Sequence, residues 1–476
     1  MQNLTMVFVV SLLLLGCGNE LPLNDEKLIS DQLSKEELKV IESYRLSIPS
    51  RLSQEGVTAL AVVLVNQEGI IWKATYGEAH FDSLFSIQSM SKTFTSVAVL
   101  NAVEGGLLSL DTPVVNYLPE FTVQDRYSQN PLKKMTLRHL LNHTAGFTHE
   151  APVGNNYDTT SLSFEDHIAS IRDTWLMFPA SSAYSYSNLG VDLAAYIIEQ
   201  KSGKPFHEYL NDQVFKSLKM YSSTANGNTV KASSKRIIGN QLFMKSVPVY
   251  VPMVGAGGIY TTIDDIAPFI GSFLQVKKGI VTQQSLQEMY TPSQYYPYGL
   301  GVTVESNGKW MKYGHNGGGF GFTSGMHWIP DKNIGVAILT NYGLDYNLQS
   351  DLTESLMLGF IEARDGVKAE PFNTKWPAYY QNPNFNPSEY KSEYAKYIGN
   401  YHFPMKGYNL PFYAEWIIKL GLSPYQVVVD RQQNNLAING EPLFEYMAGV
   451  FFTSTGEALD FRSGYLIFRG IEMDQI

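Results

Sequence analysis

Between Tyr298 and Asn341 the chain carries four β-like runs, YGLGVTV, KWMKYGHN, FTSGMHWIP and NIGVAILTN, separated by glycine turns. Strand-like runs punctuated in this way predict three or four antiparallel strands in succession. Earlier, residues 57–65, VTALAVVLV, and 70–76, IIWKATY, flank a turn at Asn66-Gln67-Glu68-Gly69. That pattern predicts a hairpin with one well-buried strand. The stretch between the two β regions holds many helical segments. Strands, then helices, then strands predict an α+β fold: an antiparallel sheet to which both chain ends contribute, with flanking helices and a helical subdomain.

The helices are bounded by their own punctuation. Ser34-Lys35-Glu36-Glu37 fits a capping box, and Leu38, Ile41 and Arg45 to Ile48 continue an amphipathic helix. Ser89 to Val103 is free of Gly and Pro and stops at Gly105-Gly106, so it reads as a helix with a glycine end. Residues 189–201, LGVDLAAYIIEQK, form another, closed by Gly203 and Pro205. Further helices are expected from Thr262 and over 347–364. Beyond residue 365 the composition shifts. Pro371, Pro377, Pro383 and Pro387 punctuate a stretch with little apolar periodicity, so 366–393 read as a linker after a main domain at 50–365. Residues 394–476 are short strand-like runs and read as a small C-terminal all-β domain.

The chain has 476 residues and a net charge of −10, without a basic patch or arginine-rich tract. Nucleic acid is therefore not an expected partner. Cys17 is the single cysteine, which excludes an internal disulfide. Before it, residues 6–15, MVFVVSLLLL, are too short to span a bilayer as a helix and suit the core of a signal peptide. Leu14-Leu15-Gly16-Cys17 resembles the lipobox of bacterial lipoproteins, although no Lys or Arg precedes the apolar run. That resemblance implies a signal peptide over 1–17 and lipidation of Cys17. A tether and helix would follow over 18–49. The protein would then sit in the bacterial cell envelope, held to a membrane through its lipid anchor only and facing the periplasm or exterior.

Ser89-Met90-Ser91-Lys92 places a serine and a lysine three apart, a spacing also found at Ser306/Lys309 and Ser388/Lys391. On a helix, positions i and i+3 are neighbours. A desolvated lysine loses proton affinity and can serve as base for a serine hydroxyl, itself a weak nucleophile. Ser306 fails this requirement because Asn307-Gly308 puts a turn between the partners. Ser388 lies in the linker. Ser89 opens a long helix, where a capping serine beside a solvated lysine is the competing reading. Three further features follow in order: Tyr186-Ser187-Asn188 before a helix, His315-Asn316-Gly317 in the glycine-rich strands, and MTLRHLLNHTAGF at 135–147.

As a set, these motifs resemble the serine β-lactamase and penicillin-binding protein superfamily, in its class C β-lactamase-like branch of esterases and D-amino-acid peptidases. The resemblance covers about residues 50–360 and implies a β-lactamase-like sheet. It also implies that Ser89 is the acylated nucleophile, Lys92 its base and Tyr186 a proton relay whose phenol Lys92 makes easier to deprotonate. Asn188 would hold Lys92 and the substrate amide, and His315 would line the site from the opposing strand. The oxyanion hole would be the backbone N–H groups of Ser89 and of Gly318, which follows Gly317. No cofactor is implied. The tail, notably YIGNYHF at 397–403, resembles the β-barrel-like domain attached to such hydrolases.

Lys201-Ser202-Gly203 also matches the family's lysine-[Ser/Thr]-glycine pattern, but it ends a helix, where Gly203 serves as the cap. His315 in place of a strand lysine would be mostly neutral at pH 7 and a poor anchor for a substrate carboxylate. Gln88, where the family has a small residue, narrows the site. His139, His143 and His149 lack the glutamate of a metalloprotease helix, so no metal is expected. The expected activity is hydrolysis of a small-molecule ester, amide or peptide through an acyl-enzyme on Ser89. The alternatives are a D-alanyl-D-alanine carboxypeptidase or weak β-lactamase, and a sensor that acylates without turnover.

Overall fold

The computed structural model describes residues 21–476 except 30, 32, 129, 159, 161–162, 242–246, 276–278, 344–345, 373–379 and 405–425. Cys17 and the signal-peptide reading of 1–17 lie outside the described residues.

VTALAVVLV sets the architecture. It forms β2 (Ala59–Asn66), whose apolar residues are fully buried. Ala59, Ala61, Val63 and Val65 face one core; Leu60, Val62 and Leu64 face a second. Period-two alternation between two apolar layers requires cover on both sides. On the first face lie helices α2 (Ser91–Glu104), α3 (Asn188–Ser202) and α4 (Ile263–Leu274). On the second lie α1 (Lys35–Glu55) and α5 (Tyr346–Asp365). β1 (Leu23–Leu28) and β3 (Gly69–Gly77) precede the short pair β4 (Phe85–Ser86) and β5 (Tyr260–Thr261). The late region supplies β6 (Thr303–Ser306), β7 (Met311–Gly319), β8 (Phe322–Ile329) and β9 (Ile334–Thr340). The main sheet runs β1-β3-β2-β9-β8-β7-β6, antiparallel throughout. The sheet is thus built from both ends of its domain, with the helices inserted between, and the α+β expectation holds.

The reading of the stretch after Cys17 as a tether is corrected. Residues 23–28 are an edge strand paired with β3. Polar side chains fix it where apolar periodicity is weak. Asn24 Nδ2 donates to the carbonyls of Gly77 and Ala79, and Glu26 accepts from Trp72 Nε1 at 3.0 Å and meets Arg45. The capping box forms as expected, with Ser34 and Glu37 exchanging bonds.

The C-terminal strands are β10 (Gly399–His402), β11 (Gln426–Gln432), β12 (Asn435–Ile438), β13 (Glu441–Pro442), β14 (Phe444–Met447), β15 (Val450–Phe452), β16 (Ala458–Asp460), β17 (Leu466–Phe468) and β18 (Ile471–Gln475). They pair as β13-β12-β11-β10-β18-β17-β16-β15-β14 around their own core. The outer strands β13 and β14 are consecutive in sequence, so the sheet is nearly closed. Part of the stretch read as a linker rests on this sheet. Ser388 N donates to Leu443 O, and Tyr390 N to Asn434 O. The sheet docks on the helical subdomain: Trp175 packs on Val450 and Phe452, and its Nε1 donates to Asp460 at 3.0 Å. Among the described residues no helix is long and apolar enough to cross a membrane.

Candidate active site

A short 3₁₀ turn, Gln88–Met90, carries Ser89 directly into α2. Gln88 sits at φ +48°, a conformation that side chains adopt at a cost. This sharp corner brings Ser89, which is part-exposed, next to the buried start of the helix. Lys92, one turn on, is wholly buried. Its Nζ lies 3.0 Å from Ser89 Oγ, 2.7 Å from Asn188 Oδ1 and 2.9 Å from the carbonyl of Ala256.

Those partners dictate the hydrogen positions. Asn188 Oδ1 and the Ala256 carbonyl can only accept. A neutral Lys92 amine has two N–H donors, and these two acceptors take both. Its lone pair then faces Ser89, which donates its O–H. Burial drives the ammonium toward the neutral form, opposed by the charges of Asp192 and Glu150, and the Lys92 pKa falls from 10.5 to about 7.

Asn188 begins α3, and its Nδ2 donates to Glu150 Oε1 at 2.9 Å. Ser187 caps the helix, donating its hydroxyl to Thr148 O at 2.7 Å. Tyr186 precedes the cap, hydrogen-bonds Ser89 and presents its ring 4.9 Å from Lys92 Nζ. The expectation that Lys92 makes this phenol easier to ionise is corrected: burial pushes Tyr186 well above the usual phenol range, and Glu150 adds to that shift. Tyr186 rests as a neutral O–H.

From the opposite side, β7 brings His315, Gly317 and Gly318 to the site. A Cβ on Gly317 would lie 2.1 Å from the carbonyl of Ile87, so this strand packs directly on the turn that carries Ser89. Gly318 follows, paired with Thr323. His315 is buried; its Nδ1 donates to the Asn316 carbonyl, and its Nε2 accepts from the Tyr298 hydroxyl at 2.8 Å. Burial, reinforced by Lys92, lowers its pKa to about 3. It is a neutral dipole at any working pH. Gln88 Nε2 donates to Ser86 Oγ at 2.9 Å, and a Cβ on Gly319 would strike the Gln88 amide, so the long side chain lies against β7 beside Ser89.

The competing motifs separate cleanly. Ser306 Oγ accepts from Gly308 N within the β6–β7 turn. Lys391 pairs with Glu445 on the C-terminal sheet, and Ser388 Oγ accepts from Glu445 N. Gly203 takes the left-handed conformation at the end of α3. His139 caps Thr136, His143 accepts from Ser187 N, and His149 meets Glu150. Among the described residues no three acidic, His or Cys side chains converge as metal ligands.

Two buried carboxylates escaped the sequence reading. Asp192 Oδ1 accepts from the N–H groups of Gly255 and Ala256, both at 2.9 Å, and so fixes the carbonyl that holds Lys92. Its Oδ2 meets His167 Nε2 at 3.2 Å, with both side chains fully buried. Burial alone would lower the His167 pKa, but the bond and charge of Asp192 raise it. The signal for Asp192 was an acid inside the apolar run LGVDLAAYII. Glu150 had no periodic signal, since it lies in a loop.

The sequence profile of the Beta-lactamase family matches residues 42–350. The D-alanyl-D-alanine-carboxypeptidase/endopeptidase AmpH of Escherichia coli (strain K12) is 23% identical over 339 residues, which are 66% of this chain and 83% of that protein. Esterase EstB of Burkholderia gladioli is 31% identical over 135 residues, 26% of this chain and 34% of the esterase. The crystal structure of a D-stereospecific amidohydrolase from Streptomyces sp. superposes with a TM-score of 0.54 at 22% identity, covering 69% of this chain and 97% of the other. These relatives share one hydrolase fold. The profile spans well over half of the sequence, and the chain belongs to the beta-lactamase family of hydrolases.

Proposed function

We propose that the protein is a serine hydrolase that cleaves esters, or amides and short peptides, through an acyl-enzyme on Ser89. One observation carries the reading: Lys92 Nζ lies 3.0 Å from Ser89 Oγ with its protons engaged by Asn188 and Ala256. In the first step Ser89 gives its proton to Lys92 and its Oγ bonds to the substrate carbonyl carbon. The oxyanion is received by the N–H groups of Ser89 and Gly318. Tyr186 passes its proton to the leaving oxygen or nitrogen, and Lys92 returns one to Tyr186. Water then attacks the acyl-enzyme by the same route in reverse, and the acid product leaves with Ser89 restored.

Substrate preference follows from charge. A carboxylate at the leaving end meets neutral His315, and Lys312 on the same strand is already paired with Glu305 and Glu354. Esters and amides that lack a terminal carboxylate are therefore favoured over β-lactams and D-alanyl-D-alanine peptides. The names of EstB and of the amidohydrolase support this direction. The likeness of Leu14-Leu15-Gly16-Cys17 to a lipobox supports a location at the cell envelope, testable by metabolic labelling with a palmitate analogue and loss of label in Cys17→Ala.

A fluorophosphonate probe is expected to label wild-type protein and not Ser89→Ala; an unlabelled wild type sinks the proposal. Turnover of p-nitrophenyl esters, D-amino-acid amides and nitrocefin, compared side by side, assigns the class. A burst without turnover on all three identifies the sensor instead.

A further inference from the structure

We propose that Glu150 is a positioning residue for Lys92, and that the Arg469-Gly470 turn of the C-terminal sheet holds Glu150 in place. The inference rests on the acyl-enzyme reading above. It makes the C-terminal domain part of the catalytic apparatus.

The argument starts from the Asn188 amide. Its two ends differ in chemistry, and only the oxygen end leaves the Lys92 lone pair facing Ser89. A carboxylate can only accept hydrogen bonds. Glu150 Oε1 accepts from Asn188 Nδ2 at 2.9 Å, which forces Asn188 Oδ1 toward Lys92. The same oxygen accepts from Asn156 Nδ2 at 3.0 Å and meets His149 Nδ1 at 3.2 Å. Glu150 is fully buried and touches Lys92 through Asn188 alone.

The backbone of Glu150 is gripped from the other domain. Its N–H donates to the Arg469 carbonyl at 3.1 Å. Arg469 and Gly470, between β17 and β18, both adopt left-handed conformations at φ +54° and +81°. A Cβ on Gly470 would sit 1.6 Å from the Glu150 carbonyl oxygen, so the two chains meet backbone to backbone. A second glycine repeats the device nearby: a Cβ on Gly456 would lie 2.4 Å from the Met177 carbonyl. With Trp175 bonded to Asp460, the sheet meets the main domain at Glu150, Trp175 and Met177.

The charged surroundings are defined. Lys92 faces Asp192 and Glu150 as anions, with His143, His315 and Tyr186 around it. Glu150 faces His149, His167 and Lys92, and behind His149 lies Glu457, paired with Arg469. Removing the Glu150 charge removes one of the two anions that favour the Lys92 ammonium.

Two substitutions separate orientation from charge. Glu150→Gln retains an acceptor for Asn188 but no charge. With p-nitrophenyl acetate, which carries no ionisable group, its plateau kcat is expected within about threefold of wild type. The acid limb should move to lower pH, making the variant roughly two- to threefold more active at pH 6 relative to its own plateau. Glu150→Ala also frees the Asn188 amide, and its plateau kcat should fall about tenfold or more with little change in KM. Gly470→Ala should lower kcat in the same way, and combining it with Glu150→Ala should add little, since both act through one contact. If Gly470→Ala does not fold, Trp175→Leu tests the same docking and should also lower kcat.

Glu150 variants with a wild-type pH limb and wild-type kcat overturn the positioning role. A folded Gly470→Ala or Trp175→Leu with full kcat overturns the part assigned to the C-terminal sheet. A wild-type protein that neither labels with the probe nor hydrolyses the ester overturns the hydrolase reading itself, and this inference with it.

Discussion

The role proposed for Lys92 as base predicts a pH profile whose shape follows from its pKa. With a pKa of about 7, Lys92 is neutral in about one molecule in ten at pH 6 and about nine in ten at pH 8. If neutral Lys92 accepts the Ser89 proton, kcat/KM on a neutral ester should rise about tenfold between those values and then level off. An ordinary lysine at 10.5 would be neutral in fewer than about one molecule in a thousand at pH 7, so burial supplies roughly three powers of ten in available base. The assay is p-nitrophenyl acetate hydrolysis from pH 5.5 to 9, followed at the isosbestic wavelength of nitrophenol. His315 and His143 are held too low to titrate in this window. His149 is side-chain exposed beside Glu150, so His149→Gln is the control and should keep the limb. Lys92→Arg, which cannot lose its proton, should cost about a thousandfold or more. A flat profile, or a limb that disappears with His149→Gln, refutes the assignment of Lys92 as base.

Gly317→Ala should cut ester turnover by about a hundredfold while leaving the circular dichroism spectrum intact. Its Cβ would meet the Ile87 carbonyl at 2.1 Å and Ser324 Oγ at 2.4 Å, prising the strand from the turn that carries Ser89. His315→Gln should change kcat by less than about tenfold and leave the pH limb unmoved, because the native ring supplies a hydrogen bond and no charge. A loss confined to anionic substrates would contradict that account. Ser34→Ala removes the side-chain cap of α1 and should cost about 1 kcal/mol, seen as a fall of about 2 °C in Tm with activity unchanged.

Much of the scaffold was legible because its signals are local. Ser34 and Glu37, Thr262, Gly203 and the Asn66–Gly69 turn each announce an element boundary within four residues. The Ser89–Lys92 pair was legible as a candidate, and it took Tyr186, Asn188 and His315 to separate it from two look-alikes. What stayed hidden depends on distant partners. Residues 23–28 have little apolar pattern, because an edge strand held by Asn24, Asp25 and Glu26 needs none. Glu150 sits in a loop, and its meaning comes from Asn188 and from a turn more than 300 residues away. Tyr186 was misjudged for a related reason: adjacency to Lys92 could be inferred, whereas the burial that outweighs it could not.

The buried charges explain why Lys92 can lose its proton near neutral pH. Two carboxylates lie near it, and a direct ion pair with either would keep it protonated. Neither touches it. Asp192 is engaged by Gly255 N, Ala256 N and His167, and Glu150 by Asn188, Asn156 and His149. Each hands Lys92 a neutral acceptor instead, the Ala256 carbonyl and the Asn188 amide oxygen. Dipoles orient the amine without cancelling the cost of burying its charge, and that balance leaves the pKa near neutrality. Asn188→Asp inverts the arrangement. The new carboxylate and Glu150 would share a proton, and the Lys92 ammonium favours its resting on Glu150, which leaves a negative oxygen of the new carboxylate directly against Lys92. The acid limb should then move to higher pH, so that activity at pH 7 falls about tenfold or more and partly recovers by pH 9. An equal loss at every pH would mean that Asn188 serves by shape alone, and that the neutral acceptors are not what tunes the base.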